Sequence, residues 1–533
     1  MSFKRAFFTV GGFTLLSRFV GFIRDVCAAN ILGAGMAADA FFVALRLPNL
    51  FRRLFAEGAF TISFVPLFTT ELKEDEQKAR SFAQEALAIL VSTLLVFTLL
   101  MMIFMPWVMH VITPGYADDA EKFNFAVELS QITFPYLFLI SIAALLGSIL
   151  NALGRFGPYA ASPIAFNLVQ IAALIIWNDN EMTAARAQAW AVTLSGVVQL
   201  LWLMVSMHRA GWHLKLRRPQ LTPRIRKLLK LVGPGALGAG VIQVNIFIDM
   251  VLASKLPEGA ISYLSYADRL FQLPVGVIGI AIGTALLPTL SRTLRDHPGH
   301  HALHEQNRAV EFGLYLGLPA AVALGVIPGP ILAVLYERGA FTPEVTHFVA
   351  YALAAYAFSI PAYMVSKVLT VAFYARVDTR SPFIIATRTV VVNTTFSIIV
   401  LYGLMHSGHE NIAHAGLALS TAVTAWLNVY LLTRRLKALG HYKADRQLWR
   451  NIGGMLLSAA VMGLLLFIGH ALLASWFSGS LFVRASALAL LGVVGAGSYL
   501  LLAHLTGAQR LNDVFKMLKR RPPKGAPPPS VSE

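Results

Sequence analysis

Charged side chains interrupt several long apolar segments of this sequence, and most of them are arginines. Eight basic residues fall in the middle of such segments: Arg18, Arg24, Arg46, Arg52, Arg53, Arg269, Lys367 and Arg388. An ionised group inside a bilayer is costly, so it normally faces an opposite charge or a water-filled cavity. A guanidinium binds phosphate or carboxylate oxygens through two parallel hydrogen bonds. The set therefore predicts a cavity that holds an anion, most simply one that carries phosphate.

The spacing of the polar residues places many of them on common helix faces. At about 100° per residue, five residues of one predicted helix lie within about 80° of one another: Asp39, Arg46, Asn49, Arg53 and Glu57. Arg52 lies about 60° further round. On the preceding helix Arg18 and Asp25 share a face, and Arg24 lies on the neighbouring stripe. A smaller cluster precedes Pro274 in a later helix: Asp268, Arg269 and Gln272.

Ion pairs between helices are the alternative to a ligand-binding cavity. Six acidic residues lie in the same apolar segments and could neutralise the arginines: Asp25, Asp39, Glu57, Glu128, Asp249 and Asp268. Glu57 stands four residues after Arg53, a spacing that favours a pair on one helix. Both interpretations remain open for any single residue.

The composition indicates a membrane protein with many spans. A soluble domain carries about 25% charged residues, whereas this 533-residue chain has 13% charged and 56% hydrophobic residues. Its mean hydropathy of +0.64 excludes a soluble enzyme and a disordered chain. Apolar segments long enough to cross a bilayer predict an all-α fold of about fourteen helices: 7–32, 37–70, 83–112, 123–152, 157–177, 184–207, 228–253, 260–290, 309–335, 345–374, 381–405, 412–433, 451–475 and 480–504.

The distribution of basic residues predicts the orientation of these helices. With the amino terminus inside the cell, 31 lysines and arginines fall in cytoplasmic segments and only Lys122, Lys255 and Arg338 fall in the opposite loops. Cytoplasmic loops carry the excess of basic residues in membrane proteins. Both termini are therefore predicted to be cytoplasmic.

A weak internal repeat predicts two six-helix lobes around a central cavity, a plan common among transporters. The predicted amino-terminal lobe covers residues 1–208, a basic linker 209–230 and the carboxy-terminal lobe 231–440. Two additional helices occupy 441–505, and a largely disordered cytoplasmic tail occupies 506–533.

Several of these segments resemble one known family. The resemblance rests on SRFVGFIRD at 17–25, ADAF at 38–41, RLPNLFRRLFAEGAF at 46–60 and YADRL at 266–270. The chain closely resembles the MviN/MurJ family of lipid II flippases, within the MOP exporter superfamily that includes the MATE drug antiporters. The resemblance covers nearly the whole chain.

This resemblance implies an inner-membrane protein that moves lipid II, an undecaprenyl-pyrophosphate-linked peptidoglycan precursor, from the cytoplasmic to the periplasmic leaflet by alternating access. It implies that cavity residues at four arginines are needed for function: Arg18, Arg24, Arg52 and Arg269. Positions matching Asp39 and Asn49 are implicated too. We add neighbours in the same polar clusters as candidate substrate contacts: Asp25, Arg53, Glu57 and Asp268.

The resemblance also suggests other components of the system. Helices within 441–505 would form a groove for the polyprenyl tail. Some relatives hold sodium, for which Asp249, Asp378 and Thr394 are candidate ligands here, although Tyr374 stands where an amide is expected. We expect no cofactor beyond a sodium ion or the membrane potential as energy source. Expected partners are lipid II, membrane phospholipid and the cell-wall synthesis machinery; we expect a monomer and no nucleic acid.

Two other functions fit the sequence less well. A cation-coupled exporter of another lipid-linked oligosaccharide or of a small molecule would have acidic rather than arginine-rich cavity walls. A membrane glycosyltransferase would need an acidic catalytic pair and a large outer domain. The sequence has neither, nor a nucleotide-binding loop or a metal-ligand spacing of His and Cys.

Overall fold

The structure, a computed structural model, describes residues 3–55, 59–296 and 300–508. Over these residues the chain is helical throughout and forms no β-strand. This confirms the all-α class. The candidate Glu57 lies outside the described residues.

Twenty α-helices and two short 3₁₀ turns make up the described chain. The helices are α1 Phe3–Leu32, α2 Met36–Phe55, α3 Ala59–Glu74, α4 Glu76–Ile103, α5 Met105–Ile112, α6 Ala120–Thr133, α7 Pro135–Ala152, α8 Gly157–Ile176, α9 Glu181–Arg209, α10 Pro223–Ala253, α11 Ala260–Asp296, α12 His300–Val326, α13 Pro328–Leu335, α14 Pro343–Ala357, α15 Ile360–Tyr374, α16 Arg380–His406, α17 Ala413–Ala438, α18 Arg446–Leu472, α19 Ala474–Phe477 and α20 Leu481–Leu505. The 3₁₀ turns are Pro114–Tyr116 and Glu410–Ile412.

Polar residues fix where several helices begin. The side chains of four such residues accept a backbone N–H from the first helical turn: Asp75, Asn180, Thr222 and Asp445. These bonds satisfy donors that have no partner within the helix.

Proline has different effects in different helices. Helices α2 and α11 continue through Pro48 and Pro274. The helix predicted over 345–374 is instead divided after Ala357, and Pro361 stands in the first turn of α15. Proline is tolerated there because the N–H it lacks would have no helical partner.

Ten helical segments among the described residues are long and apolar enough to cross a membrane. They are Glu76–Ile103, Ala120–Ala152, Gly157–Ile176, Glu181–Arg209, His301–Val326, Pro343–Tyr374, Arg380–His406, Glu410–Ala438, Arg446–Leu472 and Leu481–Leu505. Each corresponds to a span predicted from the sequence. The other four predicted spans coincide with α1, with α2 and α3, with α10 and with α11, and these helices carry most of the charged candidates. The count of fourteen stays a prediction.

The chain divides into two compact units, each with its own packing. The first contains the described residues up to Ser262 together with Arg338–Phe341, and the second contains Tyr263–Glu337 and the residues from Thr342 onward. In the first unit α8 packs against α1 and α9, α2 against α6, and α10 against α3. In the second, α12 packs against α15 and α18, and α16 against α17. The lobes predicted from the sequence repeat stay predictions.

Candidate functional site

Arg18 is a candidate whose side chain has no polar partner in the described part of the chain. It lies in α1 and is partly buried. Its side chain makes no hydrogen bond, ion pair or aromatic contact with any residue that the structure describes. A guanidinium that lies within a membrane span and has no protein partner must be solvated by water or bound to an anion.

Arg24 lies two turns further along α1 and is held by protein groups. Its Nη2 and Nε atoms donate to Oδ1 of Asp25, at 2.6 and 3.2 Å. The guanidinium also lies 5.7 Å from the centre of the Phe166 ring, within the range of a cation–π contact. Arg24 is 9% exposed. The Arg24 guanidinium is therefore paired with a carboxylate of its own helix.

A close approach of α8 to α1 fixes the position of the segment between these two arginines. Asn167 of α8 donates from Nδ2 to the carbonyl oxygen of Ser17 at 3.2 Å. A Cβ atom added to Gly21 would lie 3.2 Å from the same Nδ2. Glycine at position 21 therefore allows α8 to pack against α1 at the level of the arginines.

The polar face predicted for α2 contains residues in different environments. Asn49 donates from Nδ2 to the carbonyl oxygen of Leu45, one turn earlier in its own helix, at 2.9 Å. Arg53 is exposed, and Arg52 is partly buried. The predicted Arg53–Glu57 pair lies partly outside the described residues. A shared helix face therefore does not imply a shared function.

Asp39, near the amino end of the same helix, has hydrogen-bond partners on both carboxylate oxygens. It is 1% exposed. Its Oδ1 accepts the backbone N–H and the hydroxyl of Ser262 at 2.9 and 2.7 Å. Its Oδ2 accepts the backbone N–H of Gly259 at 2.9 Å and the ammonium of Lys122 at 3.3 Å. The carboxylate thus caps the amino end of α11, which satisfies helix donors and balances the helix dipole.

Lys122 was assigned from the sequence to an outer loop and was not among the candidates. The structure places it in the first turn of α6, only 7% exposed. Its Nζ lies 4.4 Å from the centre of the Tyr116 ring in addition to its bond with Asp39. One feature of the sequence points to this position. Lys122 stands three residues after Asp119, whose carboxylate accepts the Lys122 backbone N–H where the helix begins, and residues in a first helical turn can face the protein interior.

In the second unit the polar cluster of α11 stays close to its helix. Gln272 donates from Nε2 to Oδ1 of Asp268 at 3.3 Å, one turn apart. Arg269 is exposed, and Asp268 is partly buried. Two members of the predicted cluster, Asp268 and Gln272, are therefore bonded to each other.

Two further mid-span bases of the second unit have few contacts. Lys367, in α15, is exposed, and its Cε lies 3.8 Å from the place that a Cβ would take on Gly279 of α11. Arg388, in α16, is exposed as well. Neither side chain makes an ion pair with any residue that the structure describes. The sequence identified both as mid-span charges but gave no specific role to either.

Two of the three candidate sodium ligands, Asp378 and Thr394, lie far apart in the second unit. Asp249 accepts a hydrogen bond from Nδ2 of Asn245 at 3.1 Å within α10 of the first unit. Thr394 donates to the carbonyl oxygen of Val390 at 3.0 Å. Asp378 precedes α16, which begins at Arg380. Thr394 lies about 21 Å from Arg380 along the axis of that helix. A single ion cannot contact both Asp378 and Thr394.

Asp378 has a local role instead. The backbone N–H of Ser381 donates to its Oδ1 at 2.9 Å. Hydrogen bonds from the Ser381 backbone and hydroxyl hold the pKa of this carboxyl below its usual value. No group of three or more His, Cys, Asp or Glu residues suited to a metal ion occurs in the described ranges.

The first unit therefore offers an unpaired guanidinium at Arg18, with a paired one at Arg24 about 9 Å further along the helix axis. The second unit offers exposed cations at Arg269 and Lys367. Groups of this kind bind anions by charge and by directed N–H donors. The described geometry therefore favours anion binding.

Comparison with known proteins identifies a family for the chain. A family model described as lipid II flippase MurJ matches residues 28–486. A protein of Rhizobium tropici named "Probable lipid II flippase MurJ" is 41% identical over 99% of this chain and 98% of its own length. A protein of the same name from Rhizobium meliloti (strain 1021) is 40% identical over 98% of this chain and 97% of its own length.

Solved structures show the same fold. A lipid II flippase MurJ in an inward closed conformation matches with a TM-score of 0.77 at 23% identity, covering 95% of this chain and 99% of that one. An inward-facing MATE multidrug transporter of the MOP superfamily matches with a TM-score of 0.64 at 16% identity, covering 79% of this chain and 95% of that one. The family model and the two relatives at 40% identity or more show that the chain belongs to the lipid II flippase MurJ family.

Proposed function

We propose that this protein transports lipid II across the bacterial inner membrane for peptidoglycan synthesis. Membership of the MurJ family supports a flippase, that is, a transporter rather than an enzyme. The observation that carries the proposal is the partly buried guanidinium of Arg18, which has no partner among the described residues. Its charge and fork geometry suit the pyrophosphate of a lipid-linked precursor.

The arginines have different roles in this proposal. Arg18 binds the pyrophosphate directly. Arg24 contributes positive potential while Asp25 fixes its orientation, and the partly buried Arg52 and the exposed Arg269 complete the positively charged lining. We keep a further set of candidate contacts from the sequence as part of the proposal: Asp25, Asp39, Asn49, Arg53, Glu57 and Asp268.

The topology proposed for this function has fourteen spans arranged as two lobes around a cavity. The ten long apolar helices support a multi-pass membrane protein, and the distribution of basic residues supports cytoplasmic termini. The lobes would expose the cavity to each side of the membrane in turn. The polyprenyl tail would lie along α18 and α20, which pack together and have no charge in mid-span.

The energy for transport would come from an ion gradient or from the membrane potential. A pyrophosphate carries negative charge, and moving one elementary charge across the potential involves about 2.3 kcal/mol per 100 mV. If sodium is the coupling ion, its ligands must include groups other than the pair Asp378 and Thr394, because α16 separates these residues.

Replacement of the native protein in living cells tests the proposal. We expect Arg18→Ala and Arg269→Ala to fail to restore peptidoglycan synthesis in cells depleted of the native flippase, with normal amounts of protein in the membrane. Arg186→Ala is the matched control, because Arg186 is exposed and binds Glu128 at 2.7 Å near the outer end of α9. Normal growth with both test variants would reject the proposal.

A further inference from the structure

A polar cleft lies in the first unit where α4 begins and where the linker after α9 passes over it. Its volume is about 610 Å³, which is within the range of small-molecule sites, about 300–1,000 Å³. The lining residues are Asp75, Gln77, Lys78, Arg80, Ser81, Gln84, His213, Lys215, Arg217 and Arg224. Five of them are lysine or arginine, and one is acidic.

Some of these cations already have carboxylate partners. Arg80 binds Glu76 at 2.8 Å. Arg224 binds both Glu71 at 3.2 Å and Glu85 at 3.0 Å. Because these carboxylates do not line the cleft, the side chains that face it remain mainly cationic.

Lys215 and Arg217 have no carboxylate partner among the described residues. The Nη1 atom of Arg217 donates to the hydroxyl oxygen of Ser81 at 3.2 Å, which places the guanidinium at the cleft wall without neutralising it. Both side chains are exposed. They supply two unneutralised positive charges in the lining of one cleft.

Gln84 provides an independent sign that the cleft is incomplete without a ligand. It lines the cleft and is 7% exposed, and its Oε1 is buried with no hydrogen-bond partner. Buried polar atoms in proteins nearly always have a partner. A molecule with hydroxyl groups, or water ordered by it, would satisfy this acceptor.

The linker that forms one wall is fixed at both ends. Trp212 is 5% exposed and packs edge-on against Phe68, with Arg80 5.0 Å from its ring centre. At the other end the hydroxyl of Thr222 donates to Glu85 at 2.7 Å. The cleft is therefore held in shape before a ligand arrives, which lowers the entropic cost of binding.

Exposed leucines on the same linker indicate that the ligand is a component of the membrane. Leu216 and Leu221 are 64% and 57% exposed, and Leu216 stands between the two unneutralised cations. Alternation of basic and apolar residues is typical of segments that lie at a membrane surface. The sequence predicts this linker on the cytoplasmic side, where anionic lipids attract basic residues.

We propose that this cleft binds a phosphate ester, supplied by the headgroup of an anionic phospholipid of the cytoplasmic leaflet. The ammonium of Lys215 and the guanidinium of Arg217 donate to the phosphate oxygens. Leu216 and Leu221 contact the acyl region. The site is separate from the mid-span arginines and fixes a lipid beside the first unit.

Thermal melting of the purified full-length protein in neutral detergent tests this assignment. The probes are dihexanoyl phosphatidylglycerol, dihexanoyl phosphatidylcholine and inorganic phosphate. Phosphatidylglycerol should raise the melting temperature in a saturable manner that added salt weakens, and phosphatidylcholine should not. In Lys215→Ala/Arg217→Ala the apparent affinity should fall by about tenfold or more, as expected for the loss of charge-assisted bonds.

Arg446→Ala/Arg450→Ala is the matched control, because it removes two exposed cations from α18 in the other unit. It should bind like the unmodified protein. Inorganic phosphate could instead stabilise the protein as much as phosphatidylglycerol does, and lose this effect in the Lys215/Arg217 variant. That result would support a phosphate-binding site whose ligand is a soluble phosphate compound rather than a lipid. Unchanged affinity in that variant, an equal loss in the control, or no binding of either phosphate probe would overturn the proposal. Melting without ligand should be alike for all three proteins, since the altered side chains are exposed.

Discussion

Asp39 and Arg18 are both charged residues of predicted membrane spans, but their hydrogen-bonding environments are opposite. Asp39 is buried and accepts four hydrogen bonds, including one from the Lys122 ammonium. Arg18 is partly buried and contacts no polar group among the described residues. The charge at position 39 is already compensated by the protein, whereas the charge at position 18 requires water or a ligand.

The difference teaches how to separate structural from ligand-binding charges in a membrane protein. A compensated charge stabilises one arrangement of helices, so its removal should affect stability first. An uncompensated charge contributes little to stability, so its removal should affect binding first. The following predictions test this separation, from the largest expected effect to the smallest.

The largest effect is expected for Arg18→Ala. Lipid II transport should fall by about a hundredfold or more, because each charge-assisted hydrogen bond contributes about 1.5–3 kcal/mol and a bidentate contact with pyrophosphate has two. The melting temperature should stay unchanged. The measurement is the rate of transport by purified protein in liposomes together with a melting curve of the same sample.

Arg18→Lys refines this prediction. It keeps the charge but lacks the planar fork, so it should recover only part of the transport. A large loss of melting temperature in Arg18→Ala would show that Arg18 is structural and would remove the contrast with Asp39.

Asp39→Asn should reduce stability by about 3 kcal/mol, since it leaves the buried Lys122 ammonium without its partner. It also removes an acceptor from the backbone N–H of Gly259. The check is thermal or denaturant unfolding in detergent. Adding Lys122→Met should restore part of the loss, because the double variant no longer buries an unpaired charge. Additive losses in the double variant would argue against the pair.

Lys367→Ala should have a moderate effect on transport. Its ammonium is exposed, and an exposed charge contributes at most about 1 kcal/mol, or roughly fivefold. Initial transport rates would measure the change, with Lys437→Ala as a control, since Lys437 is exposed near the end of α17. An unchanged rate would restrict the anion-binding residues of the second unit to others such as Arg269.

The smallest effect is expected for Asp378→Ala, which removes the bond to the Ser381 backbone N–H and should cost about 1 kcal/mol of stability. Because the folded-state pKa of Asp378 is lowered, its contribution is complete above the unfolded pKa of about 3.9. It is lost as the pH falls through the lower folded value. Melting at neutral and acidic pH should show the variant's deficit only at the higher pH. A sodium-dependent deficit would instead support Asp378 as an ion ligand.

Much of the helical fold could be predicted from the sequence because long apolar segments have few other stable states in a membrane. The segments 157–177 and 480–504 correspond closely to α8 and α20. The division of the predicted helix at 345–374 was harder to place, since a proline can either kink a helix or begin a new one. The position of Pro361 alone does not distinguish these outcomes.

The candidate site could be predicted only in part. The sequence grouped Asp268 and Gln272 in one polar cluster, and a hydrogen bond joins their side chains in the structure. Periodicity could not show that Asp39 binds Lys122, because that contact joins residues 83 positions apart. The bonds that decide whether a charge is compensated are tertiary, and a sequence pattern within one helix does not contain them.

Transport of labelled lipid II in proteoliposomes tests the central claim most directly. Lipid II that starts in one leaflet is followed into the other by its accessibility to an added enzyme or quencher. The account predicts rapid transfer with the unmodified protein and with Arg186→Ala, and transfer at the rate of protein-free liposomes with Arg18→Ala. Transfer by Arg18→Ala as fast as by the unmodified protein, at equal reconstituted amounts, would contradict the claim that the uncompensated guanidinium binds the substrate.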